Sequence, residues 1–101
     1  MGPTPGQPTA VETAASVTVH YWAAARSAAG TDSDTFPVDG RVSLADVLGL
    51  VRAARPSPEL ARVLGVCAVL IGDRPTGSRA AEDVVVEPGE TVELLPPFAG
   101  G

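Results

Sequence analysis

The sequence predicts a single α+β domain in which a mixed β-sheet packs against one main helix. Polar and apolar residues alternate near both ends of the chain, an amphipathic helical pattern lies between them, and a short apolar run follows that helix. At 101 residues, the chain can form one modest core but is too short for two domains. We expect a flexible tail at residues 1–15, the folded domain at 16–95 and an extended C-terminal tail at 96–101.

The first predicted strand is SVTVHYWA, which follows a segment rich in Pro, Gly, Thr and Ala that lacks hydrophobic periodicity. Its residues alternate between an aliphatic and aromatic face and a more polar face, namely Val17, Val19 and Tyr21, then Thr18, His20 and Trp22. We expect Trp22 at an interface rather than in the core, because Thr18 and His20 make its face the more polar one.

A second strand, DTFPV, is predicted after the connection AAARSAAG, which fits either an irregular segment or a short helix. Pro37 has no N–H group to donate to a neighbouring strand, so this strand is expected at an edge of the sheet.

The main helix is predicted to begin after Ser43, whose hydroxyl can cap it, with Asp46 three residues later in a capping-box position. Four apolar residues repeat at helical spacing: Leu44, Val47, Leu48 and Val51. Pro56 ends this helix. A shorter helix is then predicted with Ser57 as its cap, Pro58 in its first turn and Gly65 as its stop.

The C-terminal half is predicted to supply the remaining strands. VCAVLI, residues 66–71, is short, apolar and rich in β-branched residues, so we predict the central strand, buried on both faces. A polar loop TGSRAAED, a short strand or strand-like piece VVVE and a type II turn at Pro88 and Gly89 follow, and TVELLP is the last strand.

Composition limits the classes of function. Twelve acidic residues against seven basic ones, all arginine, give a formal net charge of −5, which disfavours a nucleic-acid partner. No apolar run is long enough to cross a bilayer, so we expect no membrane partner. The N-terminal segment lacks the pattern of a secretory signal, and Cys67 has no second cysteine to pair with, which favours the cytoplasm.

The chain ends in LLPPFAGG, an apolar strand followed by two prolines and two terminal glycines. Pro96 and Pro97 cannot extend the sheet, and their fixed φ lowers the entropy lost when the tail becomes ordered. Gly100 and Gly101 have no Cβ atom and can enter a narrow channel. At about 3.3 Å per residue, the six-residue tail reaches roughly 20 Å. The pattern therefore suggests that the Gly101 carboxylate enters the active site of another protein.

Three segments resemble the MoaD family, the small subunits of molybdopterin synthase and relatives of the ThiS sulfur carriers: VELLPPFAGG, EPGETV and VTVHYWAAARSAAG. The resemblance covers residues 17–101 and implies a β-grasp, or ubiquitin-like, fold. It also implies that the chain carries sulfur and is not itself an enzyme. No cofactor or metal would be bound, and ATP would be used by the activating partner.

The resemblance further implies a mechanism and three partners. An adenylating enzyme of the ubiquitin-activating type, called MoeB in that pathway, would adenylate the carboxylate of Gly101. A sulfurtransferase would supply the persulfide sulfur that converts it to a thiocarboxylate. The large synthase subunit, MoaE, would then receive the tail and use the sulfur to form molybdopterin.

Site residues are likewise implied by the resemblance. Ala99 and Gly100 would thread into the partner ahead of Gly101, and six residues would contact partners: Trp22, Arg26, Leu95, Pro96, Pro97 and Phe98. Phe98 is larger than the small aliphatic residue that the family pattern leads us to expect.

Three alternatives remain open from sequence. A related carrier could deliver sulfur to cysteine, thiazole, thionucleotide or natural-product synthesis, a ubiquitin-like modifier could be joined to target lysines, or the domain could be a plain interaction module. We expect His20 to be an ordinary strand residue and Cys67 an inert core residue.

Overall fold

The computed structural model describes residues 15–97. Seven strands are formed, β1 (Ser16–Tyr21), β2 (Ser33–Pro37), β3 (Val42–Ser43), β4 (Ala68–Ile71), β5 (Arg74–Pro75), β6 (Val85–Val86) and β7 (Thr91–Leu95). The helices are α1 (Ala24–Ala29), α2 (Leu44–Ala54) and α3 (Pro58–Leu64), with one turn of 3-10 helix at Ala81–Asp83. The α+β class is confirmed: the sheet is mixed, and α2 is the longest helix in the described range.

The main sheet has the order β2-β1-β7-β4-β5. β7 lies at its centre, parallel to β1 and antiparallel to β4. β2 lies at one edge, as Pro37 predicted. The strand that leads into the C-terminal tail is therefore held on both sides by hydrogen-bonded neighbours.

The prediction for residues 66–71 is wrong in two respects. β4 begins only at Ala68 and is not the central strand, because β7 inserts between it and β1. It is also not buried on both faces, since Ile71 is buried but Ala68 is exposed. Val66 is 61% exposed and belongs to the turn after α3, where its N–H donates to the Val63 carbonyl at 3.0 Å.

Local capping signals place both longer helices. The Ser43 hydroxyl accepts a hydrogen bond from the N–H of Asp46 at 3.0 Å, and the Ser57 hydroxyl accepts one from the N–H of Leu60 at 3.2 Å. α2 ends at Ala54, two residues before Pro56, as predicted. The predicted boundaries of α2 and α3 are thus confirmed.

One face of the sheet and the inner faces of the helices form a single core. It includes alternate residues of β1 and β7, together with the apolar stripe of α2: Val17, Val19, Tyr21, Val92, Leu94, Leu44, Val47 and Val51. Because alternate strand residues point to opposite faces, the intervening residues of β1 and β7 lie on the outer face of the sheet.

A second, two-stranded sheet joins β3 to β6 and was not predicted as a separate sheet. The predicted turn before β7 is confirmed: Gly89 has a φ of 91°, and the N–H of Glu90 donates to the Glu87 carbonyl at 3.0 Å. This turn sends the chain into the centre of the main sheet. β7 then ends at Leu95, where the predicted tail begins.

Candidate functional site at the base of the C-terminal tail

The tail leaves the domain from the middle of the main sheet. Leu94 is fully buried and anchors the end of β7 in the core, whereas Leu95 is 36% exposed. Pro96 is half-buried and Pro97 is exposed. Since β7 is flanked by β1 and β4, the outer faces of these strands lie on either side of the base of the tail.

The outer face next to Leu95 carries residues of both neighbouring strands. Ala68 of β4 is the register partner of Leu95, and His20 of β1 is the register partner of Glu93. Trp22 follows β1 directly, and its backbone N–H donates to the Leu94 carbonyl at 3.2 Å. We name the four residues His20, Trp22, Glu93 and Leu95 the tail-base surface.

Trp22 is 50% exposed and does not belong to the core, as predicted from the polar character of its face. Its backbone N–H is bonded to the Leu94 carbonyl, so two of the predicted partner-binding residues, Trp22 and Leu95, are both exposed near the end of β7. That either residue contacts a partner stays a prediction.

A carboxylate between Trp22 and His20 holds this surface together. Oε1 of Glu93 accepts a hydrogen bond from the indole Nε1 of Trp22 at 2.8 Å. Oε2 lies 2.8 Å from Nδ1 of His20, and since an ionised carboxylate has no proton to donate, the imidazole is the donor. Both oxygens of Glu93 are therefore engaged.

The same contacts set the protonation of Glu93. Its partial burial would raise the pKa of the carboxyl group, but hydrogen bonds from Trp22, His20 and Thr91 outweigh burial and lower the pKa below its ordinary value. The tail-base surface thus contains a fixed negative charge at neutral pH.

Arg26 lies in α1, the short helix that follows Trp22. Its guanidinium is exposed and lies 3.3 Å from the carboxylate of Asp32, and its contact with a partner stays a prediction. The turn into α1 is strained, because Ala23 has a φ of 50° and a ψ of −123°. This turn is closed by a hydrogen bond from the N–H of Ala25 to the Trp22 carbonyl at 2.9 Å.

A partly buried ion pair connects the C-terminal end of α1 to strand β2. The Arg55 guanidinium binds both carboxylate oxygens of Asp34 in β2 and donates to the Ala29 carbonyl at the end of α1. Asp34 also accepts a hydrogen bond from the buried hydroxyl of Tyr21 at 2.8 Å. We name Tyr21, Asp34 and Arg55 the clamp; it ties the end of β1, the edge strand and α1 together.

Arg55 controls the charge of the clamp. Its hydrogen bonds lower the pKa of the Asp34 carboxyl group, even though burial opposes them. Burial, followed by the hydrogen bond to Asp34, raises the pKa of the Tyr21 phenol. The clamp is therefore an ionised pair capped by a neutral phenol.

The remaining predicted site residues lie at the tail itself. Phe98, Ala99, Gly100 and Gly101 fall outside the described residues, so their roles stay predictions. The predicted flexible tail at residues 1–15 lies almost wholly outside them too.

Sequence reasoning missed Glu93 and treated His20 as an ordinary strand residue. The available signal was the two-residue alternation of TVELL, which places Glu93 on the same outer face as Leu95.

Cys67 was predicted inside a strand, but it lies just before β4 and is half-buried. Burial raises the pKa of its thiol to about 11. Its thiol is thus neutral at pH 7, in keeping with an inert residue.

Two structural findings concern residues 15–97 only. In that range, no three His, Cys, Asp or Glu side chains are grouped so that they could hold a metal ion. None of the helices there is long and apolar enough to cross a membrane.

No protein-family model and no curated protein matches the sequence. Solved structures do match it. SAMP1 from Haloferax volcanii is 26% identical, with a TM-score of 0.70 over 85% of this chain and 99% of that chain. Small archaeal modifier protein 1 from Methanosarcina acetivorans is 23% identical, with a TM-score of 0.67 over 86% of this chain and 97% of that chain.

A third similar chain belongs to the complex of subunits 1 and 2 of the molybdopterin-converting factor from Helicobacter pylori. It is 20% identical, with a TM-score of 0.58 over 85% of this chain and 99% of that chain. Nearly the whole of each neighbour is matched, so the likeness extends to the complete β-grasp domain. The chain therefore has the β-grasp fold of these neighbours and is similar to members of the MoaD/ThiS superfamily of ubiquitin-like sulfur carriers.

Proposed function

We propose that the chain is a sulfur carrier protein, not an enzyme, and that it donates sulfur for molybdopterin as the small subunit of a molybdopterin synthase. The observation that carries the proposal is the position of β7. The central strand of a β-grasp domain runs directly into Pro96, Pro97 and the terminal Gly-Gly sequence, beside an exposed tryptophan. A tail based there can enter a partner while the domain docks outside.

The proposed chemistry takes place on the carboxylate of Gly101. Attack of the carboxylate on the α-phosphate of ATP, in an adenylating partner, releases pyrophosphate and forms the acyl-adenylate. Persulfide sulfur from a sulfurtransferase then displaces AMP, and a partner thiol cleaves the acyl disulfide to release the thiocarboxylate. The chain supplies the electrophile and the docking surface, and catalysis belongs to the partners.

The choice of a large synthase subunit as acceptor rests on the Helicobacter pylori match, whose two subunits were solved as a complex. The chain is acidic, with a formal net charge of −5, so a partner with a basic rim around an apolar centre would fit it best. We place these reactions in the reducing cytoplasm, where the partner thiol that cleaves the acyl disulfide stays reduced.

A ubiquitin-like modifier is the second candidate, favoured by the match at 26% identity to SAMP1, an archaeal modifier. The sequence contains no lysine, since its seven basic residues are all arginine. If the chain modifies proteins, it therefore acts as the donor and offers no lysine of its own for further conjugation.

The test is the intact mass of the full chain after incubation with a ubiquitin-activating-type enzyme, ATP and a persulfide donor. A mass gain equal to the replacement of one oxygen atom by sulfur is expected, and the chain lacking Gly101 should gain nothing. Molybdopterin formed after addition of a large synthase subunit supports the first candidate. Amide-linked adducts on lysines of other proteins support the second, and an unchanged mass contradicts both.

A further inference from the structure

We propose that Glu93 is a positioning residue that fixes the indole of Trp22 across the base of the tail, so that the docking surface is formed before a partner arrives. The use of this surface for docking rests on the proposed function. The fixing of Trp22 by Glu93 does not, because it concerns the free protein.

The register of the sheet brings the three side chains together. β1 and β7 are parallel, and His20 and Glu93 are direct partners on the outer face. Trp22 lies two residues beyond His20, directly after the end of β1, so its indole N–H and the imidazole of His20 approach the carboxylate from the same side of β7. The two hydrogen bonds, each of 2.8 Å, use different oxygens of the carboxylate.

These two contacts restrict Glu93 as well as Trp22. The side chain of Glu93 is only 17% exposed, although it is charged and points away from the core. His20 holds one oxygen, which leaves the other directed at the indole N–H. A half-exposed tryptophan without such a partner can occupy several rotamers, whereas the bond to Oε1 selects the one in which the indole N–H faces the Glu93 carboxylate.

The backbone of Trp22 is fixed too. Its N–H is bound to the carbonyl of Leu94, and its carbonyl accepts the N–H of Ala25 in the turn where Ala23 has a positive φ. With both the main chain and the indole N–H held, the exposed part of the ring keeps a constant position relative to Leu95. A partner therefore meets an apolar surface that loses little side-chain entropy on binding.

Glu93 thereby has a role that its own exposure would not suggest. A carboxylate next to an apolar docking area costs solvation when a partner covers it, so an apolar residue would be the simpler choice for packing. With both oxygens already paired to Trp22 and His20, that cost is reduced, and the charge orients the ring instead.

The first experiment measures hydrogen exchange at the indole nitrogen in the 15N-labelled full chain. Trp22 is the only tryptophan, so its indole N–H gives a single assigned resonance. Glu93→Val removes the acceptor and should accelerate exchange by about tenfold, the factor expected for a hydrogen bond to a charged group. Glu93→Gln keeps an acceptor oxygen and should stay much closer to the native rate.

Glu87→Val is the matched control, because Glu87 is an exposed acidic residue paired with Arg41 in another part of the domain. It should leave the indole exchange rate unchanged. Thermal unfolding of each variant shows that the domain is folded. If Glu93→Val is folded and exchanges at the native rate, Glu93 does not hold Trp22 and the inference is wrong.

The second experiment measures the steady-state kinetics of the adenylating enzyme that charges the native chain. Glu93→Val should raise the KM for the carrier between about twofold and tenfold, the range for one freed side chain, and leave kcat unchanged. The KM for Glu93→Gln should lie much closer to the native value than the KM for Glu93→Val. An unchanged KM together with faster indole exchange would show that Glu93 positions Trp22 but that this positioning does not aid docking to the enzyme.

The two failures are distinguishable. If no such enzyme charges the native chain, the proposed function fails while hydrogen exchange still decides whether Glu93 positions Trp22. If charging succeeds and exchange in Glu93→Val is native, the carrier function stands and the role of Glu93 is refuted.

Discussion

Loss of Arg55 should cost the domain a large part of its stability, because this one guanidinium ties three elements together. Arg55 makes two hydrogen bonds to Asp34 and one to the Ala29 carbonyl. The Arg55 and Asp34 side chains are 31% and 20% exposed, so water replaces these bonds only in part. Arg55→Met keeps much of the side-chain volume and removes all three bonds.

The magnitude follows from these contacts. A hydrogen bond to a charged group contributes about 1.5–3 kcal/mol, and bonds that share one guanidinium are not additive. Partial exposure screens the pair further, so we expect the free energy of unfolding to fall by about 3 kcal/mol. For a domain of this size, such a loss lowers Tm by at least about 12 °C.

The assay is urea unfolding followed by circular dichroism, with Tm from calorimetry. Arg52→Met is the matched control, since Arg52 is exposed in the last turn of α2, and it should change the free energy of unfolding by less than about 0.5 kcal/mol. Arg55→Lys should fall between the two, because an ammonium group cannot bind both oxygens of Asp34 in the same way. A loss below about 1 kcal/mol in Arg55→Met would refute the clamp.

Three further predictions concern the surroundings of the tail. Ala23→Gly should raise the free energy of unfolding by about 0.5–1 kcal/mol, because glycine adopts the positive φ of this turn without strain; a loss of stability in urea would contradict it. Trp22→Ala should keep cooperative unfolding and raise the KM of the adenylating enzyme for the carrier about 30-fold, as expected for an interface hot spot. Val85→Ala changes an exposed residue of the second sheet and should leave this KM unchanged. Non-cooperative melting of Trp22→Ala would show that Trp22 is a core residue. The folded-state pKa values of Asp34 and Glu93 are lowered, so their ionised forms stabilise the domain above pH about 4, and this contribution is lost as the pH falls further. Glu93→Gln should therefore lose less free energy of unfolding than the native chain between pH 5 and pH 3. An equal loss would contradict the contribution of Glu93.

Local chemistry explains which parts of the fold could be predicted from sequence. The alternation in β1, the serine caps of α2 and α3 and the turn at Gly89 depend on residues a few positions apart, and the structure confirms them. The edge position of β2 followed from the missing N–H of Pro37.

Strand order depended on contacts between distant residues and was predicted wrongly. The apolar content of residues 66–71 favoured a central strand, but β7 occupies the centre because it pairs in parallel with β1, more than 70 residues away. Hydrophobicity reports how buried a strand is and does not report its neighbours. The second sheet was missed for the same reason, since its strands have two residues each.

The candidate site was predicted in part. Trp22 and Leu95 were predicted to contact partners, and the structure places both exposed near the end of β7. Glu93 was missed, because its two partners lie far from it in the sequence and its own neighbours give no sign of them. The strain at Ala23 was missed as well, since alanine is not a residue that signals a positive φ.

The most direct test of the sulfur-carrier function is the intact mass of the full chain after reaction with an adenylating partner, ATP and a persulfide donor. We expect the product to gain the mass difference between sulfur and oxygen, tandem mass spectrometry to locate the change at Gly101, and alkylation to trap it as a thioester. An unmodified Gly101, under conditions in which a known carrier is fully charged, would contradict it.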